Sequence, residues 1–314
     1  MAIDIAAKAG AGGARRKGRA VRLSTRDRVT VAVMVGVPVL VVGGLIWFPT
    51  IASILLSFTN WDGIGGITSA HWVGTENYRQ IATINPEFWP AVKHNLIWLG
   101  FLALVATPFG LLLAYQLDKQ IRGSRIYQSI FFLPVVLSFA IIGFIWQLVY
   151  SPTSGLINNI FEDPAHGAVT DWLGNPKINL WAILVAVGWR HAGYIMILYL
   201  AGLKAIDPSL REAAAIDGAG EWHAFRTVVF PALKPINLVI VVVTVIEALR
   251  AFDIVYIVNR GRNGLELLSV LVTNNIIGEA SRIGYGSAIA VILIVTSIIP
   301  IVVFVWNSFQ ERQA

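Results

Sequence analysis

Six stretches of roughly twenty mostly apolar residues set the limits on how this chain can fold. They lie at about 31–57, 96–117, 129–150, 180–203, 236–258 and 288–308. A helix needs about 20 such residues to cross roughly 30 Å of hydrocarbon, and in lipid every backbone amide must be satisfied within the protein. The expected fold is therefore all-α: a polytopic membrane protein with six transmembrane helices. Composition agrees, because 56% of residues are hydrophobic and only 13% charged, with a mean hydropathy of +0.69. The absence of cysteine excludes disulfides and thiolate metal sites. The five histidines lack the spacing of a ligand pair, and no metal site is expected.

The net charge of +6 is unevenly distributed. Residues 1–28 carry Arg15, Arg16, Lys17, Arg19, Arg22, Arg26 and Arg28 beside a Gly/Ala run, and read as a disordered basic tail. Residues 29–314 form the transmembrane domain. A basic run abutting a first span holds an N-terminus in the cytoplasm, which makes nucleic-acid binding the weaker explanation. With the N-terminus inside, 16 of the 24 Lys and Arg fall on the cytoplasmic side, 6 outside, and Arg190 and Arg250 within spans. Both termini are thus expected in the cytoplasm, with no signal cleavage at the first span.

That orientation also puts the loop 204–235 in the cytoplasm. Helix–helix connections usually take about 2–8 residues, so a loop this long does more than link two spans. Asp207-Pro208 is a helix start, Leu210, Ala213, Ala214 and Asp217 share one helical face, and Gly218 can end the helix. A second short helix over 221–229, ended by Pro231 and Pro235, completes a small helical knob. Its mixed polar face argues against an amphipathic helix lying on lipid.

Glu212-Ala213-Ala214, Asp217-Gly218-Ala219, Phe225 and Pro231 together resemble the signature loop of the inner-membrane subunits of binding-protein-dependent ABC importers. The carbohydrate-uptake permeases, of the maltose, glycerol-phosphate and lactose type, are the most similar. Looser matches lie at Phe58-Thr59-Asn60-Trp61-Asp62-Gly63, at Val73-Gly74 through Asn77-Tyr78-Arg79, and from Arg122-Gly123 to Leu133-Pro134-Val135-Val136. The resemblance implies that Glu212, Ala213, Ala214, Asp217, Gly218, Ala219, Phe225 and Pro231 form a coupling helix that docks on an ATPase. It further implies a second homologous permease subunit, two ATP-binding-cassette subunits carrying ATP and Mg, and an extracytoplasmic solute-binding protein. The location it implies is the bacterial inner membrane, the solute a sugar or related compound. The chain has no G-x-x-x-x-G-K-[ST] phosphate loop, so no cofactor is expected on this subunit and it is not itself an enzyme. Where relatives often carry Gly-Gly-Pro, this chain has Gly261-Arg262-Asn263; the apolar run that follows, 265–277, is too short to span and is expected to be interfacial or re-entrant.

The outer loop 59–95 holds Trp61, Trp72, Tyr78, Phe88 and Trp89, the composition of an interfacial aromatic belt. By resemblance, part of it receives the binding protein. An ion-coupled secondary transporter is the alternative, but no internal repeat is visible; an intramembrane enzyme would need a nucleophile or metal constellation, and none is visible either. Ionisable residues inside a span are costly and mark pathways or pairs. Arg190 and Tyr194, with Trp189 and His191 beside them, and Glu247, Arg250 and Ala251 on the next span are therefore the candidate substrate-binding residues. Glu247 can pair with Arg250 along its helix or with Arg190 across the interface.

Overall fold

The computed structural model describes residues 24–119, 121–161, 169–278 and 281–310, the side chains of 307–310 aside. The chain divides into two compact units, Met1–Ala52 and Ser53–Ala314. Of the expected basic tail, residues 1–23 lie outside the described residues. The first helix, α1, runs Thr25–Leu56 and so starts within the segment expected as tail. The backbone N–H of Ser24 donates to Asp27 at 3.2 Å, half of a capping box that anchors the helix start ahead of the apolar run. No residue of α1 up to Val42 is buried.

In the second unit the helices are α2 (Glu76–Thr83), α3 (Phe88–Asp118), α4 (Ser124–Val136), α5 (Phe139–Val149), α6 (Leu156–Phe161), α7 (Asn179–Ala205), α8 (Pro208–Ile216), α9 (221–232), α10 (Lys234–Leu249), α11 (Asp253–Asn259), α12 (Leu268–Ile276) and α13 (Ile283–Gln310). The central helix is α7, with 67% of its most apolar window buried, against 22% for α3 and 11% for α13. The apolar surface that α3 and α13 leave uncovered is the kind that only lipid or another apolar partner satisfies. Trp98, Leu102, Ile183, Leu184, Val187 and Ile254 form one core cluster. Met196, Tyr199, Leu203, Phe225, Val229 and Leu233 form a second at the loop end. The third joins Ile81, Phe88, Leu271, Tyr285 and Ile289.

Two expected spans depart from straight helices. Among the described residues four helices are long and apolar enough to cross a membrane, or five if the pair α4 and α5 counts as one, for these meet at 103°. Leu137 is extended there, and Ser138 caps a new helix by accepting the Ile141 N–H at 3.3 Å. The expected span 236–258 is likewise interrupted: α10 ends at Leu249 and α11 starts at Asp253. The run 265–277 contains α12, which packs on α13 and α3 with Leu268, Val270 and Leu271 buried. The turn before it places Arg260, Gly261, Asn263 and Gly264 at positive φ.

Three prolines share a local geometry. The amide of Phe48 bonds the Gly43 carbonyl, that of Thr107 the Leu102 carbonyl and that of Phe230 the Phe225 carbonyl, each five residues back. Pro49, Pro108 and Pro231 follow directly. A helical proline cannot donate and its ring crowds the carbonyl four residues back; one wide turn relieves both. Pro231 therefore does not end the second loop helix, as the sequence had suggested, but is carried inside it. Pro235 likewise sits in the first turn of α10, where a missing amide costs nothing.

Candidate coupling loop and polar cluster

The loop folds as a knob with two arms. Asp207 caps α8 by accepting the Ser209 amide at 2.9 Å, a bond that holds its carboxyl below the ordinary aspartate range. At the other end the Gly218 amide bonds the Ala215 carbonyl and the Ala219 amide the Ala214 carbonyl, at 3.1 and 3.0 Å, while Gly218 has φ +78°. This is a Schellman stop, which needs a left-handed residue at that position. Ala214 and Phe225 are buried, Ala219 is half-buried, and Glu212, Ala213, Asp217 and Pro231 are exposed. Phe225 plugs the loop-end core, 4.7 Å from the Tyr115 ring and stacked on Trp222 at 5.7 Å. The two side chains flanking the Gly218 turn, Ile216 and Trp222, are 86% and 69% exposed.

Deeper in the bundle, Arg190, His191 and Glu247 meet between α7, α10 and α3. Arg190 Nη1 donates to Glu247 Oε1 at 3.2 Å, and His191 Nδ1 lies 2.5 Å from Glu247 Oε2. His191 is 1% exposed, and its Nε2 stands 3.3 Å from the hydroxyls of both Thr107 and Thr244. The wide turn at 102–106 immediately precedes Thr107 on α3. Of the two pairings open to Glu247, the one across the helix interface is formed, and Arg250 has no partner among the described residues. Glu247, Arg250 and Ala251 line a cleft of about 270 Å³ at the break between α10 and α11. Arg190 and His191 reach it through Glu247, and Arg190 also lies 4.1 Å over the Phe139 ring. Trp189 and Tyr194 lie elsewhere: Trp189 meets Trp146 edge-on at 6.0 Å, and Tyr194 packs with the loop-end core. Sequence reasoning missed Trp98, Phe139, Phe252 and Asp253, which also line the cleft. Only the break at Arg250–Phe252 brings Phe252 and Asp253 there, and no local motif announces it. Trp98 is 1% exposed, and its indole N–H has no partner among the described residues.

Residues 106–313 match the family described as binding-protein-dependent transport system inner membrane component. This chain belongs to that family. Membership sets aside the ion-coupled carrier as an alternative. Among relatives of this permease, a probable ABC transporter permease protein of Pyrococcus horikoshii is 32% identical over 281 residues, 88% of this chain and 95% of the relative. The xylose/arabinose import permease protein XacH of Haloferax volcanii is 31% identical, covering 88% of this chain and 87% of its own. The trehalose/maltose transport system permease protein MalF of Thermococcus litoralis is 31% identical over 71% of this chain and 75% of its own. Among solved structures, a bacterial ABC transporter for import of the acidic polysaccharide alginate superposes with a TM-score of 0.77 at 20% identity, over 91% of this permease and 96% of the solved chain. At that identity the likeness speaks for the fold.

The looser motifs at 58–63 and 73–79 of this permease have a structural use. Asn77 is buried, and its amide donates to the Ser57 and Thr59 carbonyls, both at 2.8 Å, tying α2 to the chain that follows α1. Phe58 stacks on Trp72 at 5.2 Å and contacts Tyr78 at 5.6 Å.

Proposed function

We propose that the chain is one of two homologous permease subunits of an ATP-driven importer, forming half of the pathway for a sugar or related solute. In this reading two partner ATPase subunits bind ATP and Mg, and an extracytoplasmic binding protein delivers the solute. The observation that carries the reading is the knob: a capped, glycine-stopped helix pair, rooted in the core by Phe225 and exposing Ile216 and Trp222. A chain without a phosphate loop has to receive its energy through such a contact.

A sugar suits the cleft and the relatives alike. Phe139 and Phe252 offer apolar surface to a sugar ring, and Glu247, Arg250 and Asp253 offer hydroxyl partners. Relatives carry the names of xylose/arabinose and trehalose/maltose systems. The topology we favour keeps six crossings with both termini in the cytoplasm of a bacterial inner membrane. The bent pair α4–α5 is the third crossing, and α10 with α11 the fifth. The 16 residues of α10 alone rise about 24 Å, short of the hydrocarbon thickness, and α11 supplies the remainder.

The test is reconstitution of the complex purified from its native membrane. Co-isolated ATPase subunits, and sugar uptake into vesicles that requires both ATP and the binding protein, are the expected result. Uptake by the lone chain without ATP would overturn the proposal.

A further inference from the structure

We infer that Asp118 and Lys119, at the end of α3, are positioning residues that clamp both arms of the knob, so that movement of the knob is delivered to α3. The inference rests on the coupling role proposed above and adds the route by which it reaches the bundle.

Within the chain, the knob hangs between two breaks. Ile206, between α7 and α8, is extended with ψ 134°, and Leu233, between α9 and α10, leaves helical geometry with ψ 3°. Neither covalent connection is a continuous helix, so neither makes the knob rigid with its neighbouring span. Phe225 and Val229 root the knob in the loop-end core beside Met196, Tyr199 and Leu203 of α7, and polar contacts with α3 hold its two arms. Asp118 Oδ2 accepts from Arg211 Nη1 at 2.6 Å, and Lys119 Nζ donates to Glu221 Oε2 at 2.6 Å. Arg211 belongs to α8 and Glu221 starts α9, so two adjacent residues of opposite charge hold the arms on either side of the Gly218 turn. Reversed polarity in the two pairs also fixes the order of the arms, because exchanging them would set like charges together. Between the pairs, Tyr115 of the same helix contacts Phe225, and the Lys119 ammonium sits 4.7 Å over the Tyr115 ring.

The far end of this lever is the polar cluster. From Asp118 to Thr107 is eleven residues of α3, about 16 Å at helical rise. The Thr107 hydroxyl meets His191, which holds Glu247 at the wall of the cleft. A clamp at the end of α3 and a hydrogen bond eleven residues back along it make this stretch the element that both sites bias.

The full complex, reconstituted with its ATPase subunits and binding protein, tests the clamp. Asp118→Arg and Lys119→Glu each break one pair from the α3 side; Asp118→Arg with Arg211→Asp, and Lys119→Glu with Glu221→Lys, restore the pairs reversed. Each single variant is expected to retain the ATPase subunits and hydrolyse ATP, while solute moved per ATP falls by about three- to fivefold, the upper part of the range for an exposed ion pair because each charge reversal also sets like charges together. Each double variant should recover to within about twofold of the parent, since the restored pair has the same strength. Unchanged solute per ATP in both single variants, or doubles no better than the singles, would overturn the clamp. So would loss of the ATPase subunits in the doubles alone, which would mean that Arg211 and Glu221 serve the ATPase instead. Failure of the coupling role itself has a separate signature: the parent carries no ATPase, or Gly218→Val leaves the ATPase bound and transport intact.

Discussion

At the scale of single residues, Gly218 makes the sharpest demand. No heavy atom lies within 4 Å of where a Cβ would stand, so the constraint is its φ of +78° and not space inside the chain. Gly218→Val should cost about 1–2 kcal/mol of local strain, misdirect α9 and reduce ATPase co-purification. Gly218→Asn, which tolerates the left-handed region, should retain the knob; if it also loses the ATPase, the partner itself approaches the glycine closely. Subunit abundance measured beside co-purification separates either result from simple misfolding. In the polar cluster, Arg190→Leu leaves Glu247 with His191 as its partner, and Glu247→Gln removes the charge both of them face. Both variants should alter transport rate or sugar selectivity while assembly with the ATPase persists. Parental rate and selectivity in both would mean that the pathway is lined by other residues. The signature residues of the loop were legible because small residues, a helix cap and a glycine stop are local properties. The cleft was not: Trp98 is one of eleven tryptophans, and only the packing of α3 against α10 distinguishes it.

At the scale of elements, tight helix crossings and proline-driven wide turns decide the geometry. Gly193 lies where a Cβ would collide with the Phe131 carbonyl oxygen, a backbone atom of α4 that cannot swing aside. Gly193→Val should separate α4 from α7, at a cost of about 1–3 kcal/mol, and lower the thermal unfolding temperature of the purified permease. An unchanged melting curve would show that α4 is free to shift. Pro231→Ala gives residue 231 an amide that can donate and removes the ring, so the wide turn at 225–229 can tighten. A helix advances about 100° per residue, so losing the extra residue turns Trp222 away from its present direction. Transport should fall with no loss of subunit abundance. Apolar length located the helices well but not their breaks. The kink at Leu137–Ser138 and the interruption at Arg250–Phe252 arise where tertiary contacts and a new cap outcompete helix continuation, as when the Ser269 hydroxyl donates to the Ala251 carbonyl within the break. The prolines behind the wide turns were visible, yet Pro38 and Pro300 sit inside helices without one, so proline alone does not decide.

At the scale of the molecule, the account joins a knob, a lever and a polar cluster within one helical unit. Its central claim is that the Glu212–Pro231 signature meets a nucleotide-hydrolysing partner. The chain has no cysteine, so a single introduced thiol reports on one position without background. Ile216→Cys places that thiol on the exposed side of the Gly218 turn, and Thr68→Cys places one in the 59–95 loop as a control. After mild oxidation or a short thiol-reactive linker in native membranes, Ile216→Cys should form a covalent adduct with an ATPase subunit, in a yield that changes with ATP, and Thr68→Cys should form none with that subunit. An adduct from Thr68→Cys with the ATPase, or no ATPase adduct from Ile216→Cys while transport remains intact, would contradict the account.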